Sequence, residues 1–118
     1  MIDREARDLA LAAARAADGA HATDILVLHV GDVLGVTEYF VIASASNRRL
    51  VNAVVDDLER HLKVDPGRSP VRVEGVREQQ WVLIDYGDVV VHVFLAEIRD
   101  FYEIERLYTD VPQLDWMT

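Results

Sequence analysis

The hydrophobic pattern of this chain changes period several times, and each change marks an element. Ala6, Leu9, Ala10, Ala13 and Ala17 recur at three and four, the spacing of one helix face. Asp3 stands where an N-cap belongs, and Asp18-Gly19 supplies a stop. Alanines pack close to a sheet but bury little area each, so this helix is expected to be the least stable element. Residues 23–30 (TDILVLHV) then read as a strand with both faces mostly apolar, and Gly31, Asp32 and Gly35 mark a turn. Residues 38–45 (EYFVIASA) read as a second strand, and the short connection predicts an antiparallel pair. Helical spacing returns at Leu50, Val51, Val54, Leu58 and Leu62, with Asp57, Arg60 and Lys63 mostly on the other side. The Ser46 hydroxyl is placed to cap that helix, and Asp65-Pro66-Gly67 ends it.

Residues 71–76 read as a short third strand. The strand–helix–strand path from 39 to 76 predicts a right-handed crossover and a parallel pair. The most telling segment is 81–95 (WVLIDYGDVVVHVFL), where two apolar, β-branched runs flank Gly87-Asp88. A glycine-first two-residue loop suits a type II′ hairpin. That loop sets Asp85 opposite Val90, Ile84 opposite Val91, Leu83 opposite His92, Val82 opposite Val93 and Trp81 opposite Phe94. One face then carries Val82, Ile84, Tyr86, Val89, Val91 and Val93; the other carries Trp81, Leu83, Asp85, Val90, His92 and Phe94. Both are largely apolar, so the hairpin belongs inside the sheet. Ile98, Phe101, Ile104 and Tyr108 mark a last short helix, stopped before Pro112. The predicted order is α-β-β-α-β-β-β-α. It describes a single α/β domain of mixed α+β type over residues 1–118, with a mixed five-stranded sheet flanked by helices and residues 113–118 unassigned.

Composition narrows the function. The 118 residues carry 12 Lys plus Arg against 21 Asp plus Glu, a net charge of −9. That balance disfavours nucleic acid and anionic membranes, whose binders display basic patches, and suits a basic protein partner. Cysteine is absent, which excludes disulfides, thiolate catalysis and Cys-based zinc sites. Charges interrupt the first twenty residues, and no uncharged run approaches the roughly 20 residues of a membrane helix, so a cytoplasmic location is expected.

Catalytic and metal patterns are weak. His21, His29, His61 and His92 do not pair at ligand spacing on one predicted element, so no metal or cofactor is expected. Asp85 and His92 share a hairpin face about one diagonal step apart, within reach of a hydrogen bond. There is no glycine-rich phosphate loop and no G-x-S-x-G elbow, so no catalytic residue is assigned. Acidic pairs two apart, Asp3/Glu5, Asp57/Glu59 and Glu103/Glu105, fall on predicted helices and so diverge. A nucleotidyltransferase-like enzyme and a generic dimeric scaffold are the competing readings. Surface chemistry is richer: Trp81, Tyr86, Phe101 and Tyr102 lie near Glu74, Glu78, Asp85, Asp88, Glu97 and Asp100, aromatic bulk within an acidic rim. Trp81 suits either the core or an interface.

Several separated motifs, in order, resemble one family. EG and five further residues precede WVLIDYGDVVVHVF, and RDFYEIERLY follows; upstream stand TDILVLHV and TEYFVIASASNRR. Together they resemble the ribosomal silencing factors, RsfS or Iojap, over about residues 3 to 110. Glu38 stands where the family pattern has Asp, a change of one carbon. The resemblance implies a translation repressor that binds the large ribosomal subunit through the interface protein numbered fourteen, with homodimerisation also reported for the family. Blocking of subunit joining would then be steric, lowering translation when nutrients are scarce. Glu74-Gly75, Trp81, Asp85, Tyr86, Gly87, Asp88 and His92 match signature positions. Trp81, Asp85, Asp88, Tyr86 and Glu74 are the expected partner contacts, and Gly87 is expected to serve the turn.

Overall fold

The computed structural model describes residues 4–117. Helix α1 spans Arg4–Gly19, and its stripe of Ala6, Leu9, Ala10, Ala13 and Ala17 is buried, joined by Ala14. The expected cap, Asp3, lies outside the described residues. Strand β1 is Thr23–His29, and β2 is Tyr39–Ala45, antiparallel to it. The intervening turn holds one helical turn, α2 (Gly31–Leu34), closed by Gly35 at φ 71°. Helix α3 spans Arg48–Val64 and buries Val51, Val54, Val55, Leu58 and Leu62. Asn47, rather than Ser46, caps it: its side chain accepts from the Leu50 N–H at 2.8 Å. Both residues suit a cap; the one directly before the first helical residue reaches the free amide.

Strands β3 (Arg72–Glu74), β4 (Trp81–Asp85) and β5 (Val89–Leu95) follow, then α4 (Ala96–Tyr102), a 3-10 turn over Ile104–Tyr108 and β6 (Gln113–Leu114). The sheet order is β3-β4-β5-β2-β1-β6. The hairpin has the predicted register at all five pairs from Trp81↔Phe94 to Asp85↔Val90. Gly87 sits at φ 91°, which a glycine-first loop requires.

Two expectations about the sheet change as well. The sheet has six strands, not five, because Gln113–Leu114 of the unassigned tail pairs with Val27 and Leu28 of β1. Two residues are too few to show a strand period. The parallel partner of β2 is β5, not β3, with Tyr39↔Val89 through Ala45↔Leu95 in register. Strand β5 is apolar on both sides and suits a central place, whereas β3 is short, carries Arg72 and Glu74, and stands at the edge. Gly75 follows it at φ 89°, where a side-chain carbon would lie 2.1 Å from the Trp81 carbonyl oxygen. Only glycine lets the backbone pass there.

The two sheet faces fare differently. Helices α1 and α3 cover one, building the main core with Val27, Val41, Val82, Ile84, Val91 and Val93. The other face buries a smaller cluster of Leu28, Val30, Ile42 and Phe94 under Ile98, Ile104, Tyr108 and Val111. Its remainder, towards β3 and β4, is only partly covered by the described residues. No helix among the described residues is long and apolar enough to cross a membrane.

Candidate functional site

The uncovered part of the sheet forms a shallow groove. Phe40, Leu83, Val90 and His92 give its apolar floor, Val36 and Thr37 one rim, and Arg72, Glu74, Asp85 and Gly87 the other. Residues 74–118 hold ten of the acidic residues and three of the basic ones, so most of the net charge falls on the part of the chain that builds β4, β5 and α4.

His92 is the central group. Its exposure is 4%, and the Trp81 indole N–H donates to its Nδ1 at 3.1 Å. Phe40 meets its ring edgewise at 4.6 Å. Burial lowers its pKa to about 4, so the ring is neutral at pH 7. With Nδ1 accepting, the proton resides on Nε2, and among the described residues Nε2 has no hydrogen-bond partner. The Thr37 hydroxyl, on the groove rim, is likewise buried without one. Unfolded His92 has an ordinary pKa near 6.5, so between pH 6.5 and about 4 the unfolded chain binds the extra proton. The contribution of His92 is fully present above about pH 6.5 and declines as pH falls towards 4, by about 3 kcal/mol in all. Urea unfolding at pH 7 and pH 5 should show about 2 kcal/mol of that loss, and His92→Gln should flatten it. An equal loss in that variant would assign the acid sensitivity to carboxylates.

The expected contact residues separate into groups. Glu74 is exposed on the edge strand and lines the groove. Asp85 lines it too, but its carboxylate accepts from the Gly87 N–H at 2.8 Å and faces Arg72 Nε at 3.3 Å. Among the described residues His92 does not donate to Asp85: the Asp85 carboxylate is turned to Gly87 and Arg72, and His92 Nε2–H stays unpartnered. Asp88 pairs with the Arg68 guanidinium at 2.8 and 3.3 Å, while its carbonyl accepts from the N–H groups of Glu38 and Tyr39. It ties the hairpin turn to the start of β2. Trp81 is half-buried, stacked on Phe94 with centroids 4.8 Å apart and tilted against Tyr102 at 5.2 Å.

Tyr86 leaves the set of surface contacts. It is 3% exposed and belongs to the helix-covered core. Burial, then the nearby Glu59, raises its pKa to about 12 against the opposing Arg68. The hairpin alternation already placed Tyr86 on the face opposite Trp81. The periodicity could not say which face the helices cover.

Arg99 escaped the sequence reading altogether. It is 7% exposed; its Nη1 donates to the Asp24 carbonyl and to Ser44 Oγ, and its Nε faces Glu105 at 3.3 Å. The cluster RDFYEIE on a short helix gave no sign that its arginine points inward. It fastens α4 to β1 and β2. No group of three or more His, Asp or Glu able to hold a metal occurs among the described residues.

A family profile described as "Ribosomal silencing factor during starvation", RsfS, matches residues 3–118. The chain belongs to this family. Among RsfS relatives, a Bacillus subtilis (strain 168) protein named Ribosomal silencing factor RsfS is 37% identical over 103 residues, covering 87% of this chain and 86% of its own. A mouse protein named Mitochondrial assembly of ribosomal large subunit protein 1 is 37% identical over 91 residues, covering 75% of this chain and 40% of its own. A crystal structure of a Chromobacterium violaceum protein superposes with a TM-score of 0.79 at 33% identity, covering 92% of this chain and 87% of that one. The RsfS relatives bear regulatory rather than enzymatic names, and translation repression follows from the family role.

Proposed function

We propose that the protein represses translation by docking the open face of its sheet onto a basic protein at the joining surface of the large ribosomal subunit. The partner is the protein numbered fourteen of that subunit, and the bound domain blocks the small subunit by occupying its place. No bond is made or broken, and translation falls when nutrients are scarce. RsfS membership carries the reading to the ribosome, and the name of the mouse relative points to the large subunit. The uncovered groove carries it to a surface. Helices protect one sheet face, yet Phe40, Leu83 and Val90 remain only partly covered on the other, beside Glu74 and Asp85. Arg72 and Asp85 pair with each other, so Glu74 is the charge left on the rim, and partly exposed apolar groups beside it suit a partner that is apolar at its centre and cationic around it.

Sedimentation of separated subunits tests this. Added protein should travel with the large subunit alone and diminish the joined-ribosome peak. Leu83→Arg places a cation on the half-buried groove floor without touching the helix-covered core, and should weaken binding about tenfold or more. Binding should also weaken with salt, since exposed charges are screened beyond about 8 Å at physiological ionic strength. Equal binding to both subunits, or an unchanged joined peak at saturating protein, overturns the reading.

A further inference from the structure

The groove continues beyond the sheet. Phe40 meets His92 at 4.6 Å, His92 bonds the Trp81 indole, Trp81 meets Tyr102 at 5.2 Å, and Tyr102 meets Phe101 at 5.0 Å. This run of rings leaves the groove floor over β5, crosses β4 and ends on α4. Burial falls along it: His92 is 4% exposed, Tyr102 54% and Phe101 78%. An amphipathic helix normally turns its aromatics inward, and the spacing of Ile98, Phe101, Ile104 and Tyr108 placed Phe101 there. Instead Glu103 takes a left-handed conformation at φ 47°, ending α4 after Tyr102 and starting the 3-10 turn. Ile98, Ile104 and Tyr108 pack on the sheet, Arg99 takes the inward place on α4, and Phe101 faces out.

Charge in the segment that carries the last two rings is one-sided. Residues 96–110 contain five acidic groups and two arginines. Arg99 is buried against Glu105, and Arg106 pairs with Glu103 at 3.5 Å. Glu97, Asp100 and Asp110 remain uncompensated within the segment. Two adjoining exposed aromatics with surplus carboxylates attract one kind of side chain, a long cation whose stem lies on the rings and whose charge faces the acids.

We infer that Phe101 and Tyr102 form a second contact of the docking surface, taking an arginine- or lysine-bearing segment of the same basic partner that occupies the groove. The inference rests on the proposed docking of the open sheet face. Continuity of the rings joins the two contacts, and the acidic surplus selects a cation. Phe101 is the terminal anchor, because it contributes almost nothing to the core and is the most exposed ring of the run.

Titrating purified large subunits with the full chain decides it. Phe101→Ala should melt with the parent, because the side chain is exposed, and bind about tenfold more weakly. Phe101→Tyr, which keeps the ring, should bind within about threefold of the parent. Asp100→Asn should reduce the dependence of binding on salt. If Leu83→Arg loses binding while Phe101→Ala retains it within about twofold, the second contact is overturned and the groove stands. If the parent chain does not bind large subunits at all, both fall.

Discussion

Replacing Arg99 by alanine is expected to lower the unfolding free energy by about 3–5 kcal/mol, the cost of breaking a buried ion pair from one side. The guanidinium holds three groups at once: the Asp24 carbonyl, Ser44 Oγ at 2.8 Å and the Glu105 carboxylate at 3.3 Å. Ser44 is 2% exposed, and water reaches it poorly once the guanidinium has gone. Arg99→Lys keeps the charge without the planar fork and should fall between the two. Glu105→Gln combined with Arg99→Ala should cost less than the two single changes together, because the pair couples. Urea unfolding measures these four variants against the parent. The loss should reach large-subunit binding too, since α4 carries Tyr102 against Trp81 and a detached α4 removes that end of the proposed docking surface. An Arg99→Ala protein within about 1 kcal/mol of the parent would mean α4 is held by its apolar contacts alone.

Trp81→Ala should be of similar size, about 3–5 kcal/mol, as for large aromatic truncations in cores. The indole lies on Phe94, which is fully buried, and supplies the hydrogen bond to His92 Nδ1. Alanine uncovers Phe94 and leaves both His92 nitrogens without a partner among the described residues. Trp81→Phe keeps a ring on Phe94 and loses the donor, so its cost should be nearer 1–3 kcal/mol. The folded fraction of Trp81→Ala should also bind large subunits less well, because Tyr102 loses the ring it leans on. Melting followed by a binding titration separates the effects. A variant that melts with the parent and fails to bind would make Trp81 a surface anchor alone; one that melts far lower and binds normally while folded would make it a core residue alone.

The consequences for the two aspartates are smaller. Asp85 and Asp88 are each paired within the chain, with Arg72 and Arg68, and each also serves the hairpin turn. Their substitution disturbs the turn before it disturbs a partner. Glu74 differs: it stands exposed on the edge strand, and its charge is available to steer association.

How far the sequence reached follows from the range of each interaction. Apolar spacing and turn residues are local, so the buried stripe of α1, the α3 stripe, the antiparallel β1–β2 pair and the full hairpin register could be read from the chain. Gly87-Asp88 determined that register by itself, because a two-residue loop leaves one alignment. The signature residues likewise announced the family. Tertiary structure alone decided which strand lies parallel to β2, since β3 and β5 both lie beyond α3 in the chain and only burial on both faces selects β5. It decided that α1 and α3 cover the face carrying Tyr86 and that Leu83 and Val90 on the other face stay partly exposed, a choice invisible to a pattern apolar on both sides. It turned Arg99 inward and Phe101 outward, against helical periodicity, because Glu103 breaks α4 and the carbonyl of Asp24, 75 residues away, needs a donor. It also recruited Gln113–Leu114 to the edge of β1, where two residues gain a strand's hydrogen bonds only because a strand is already there.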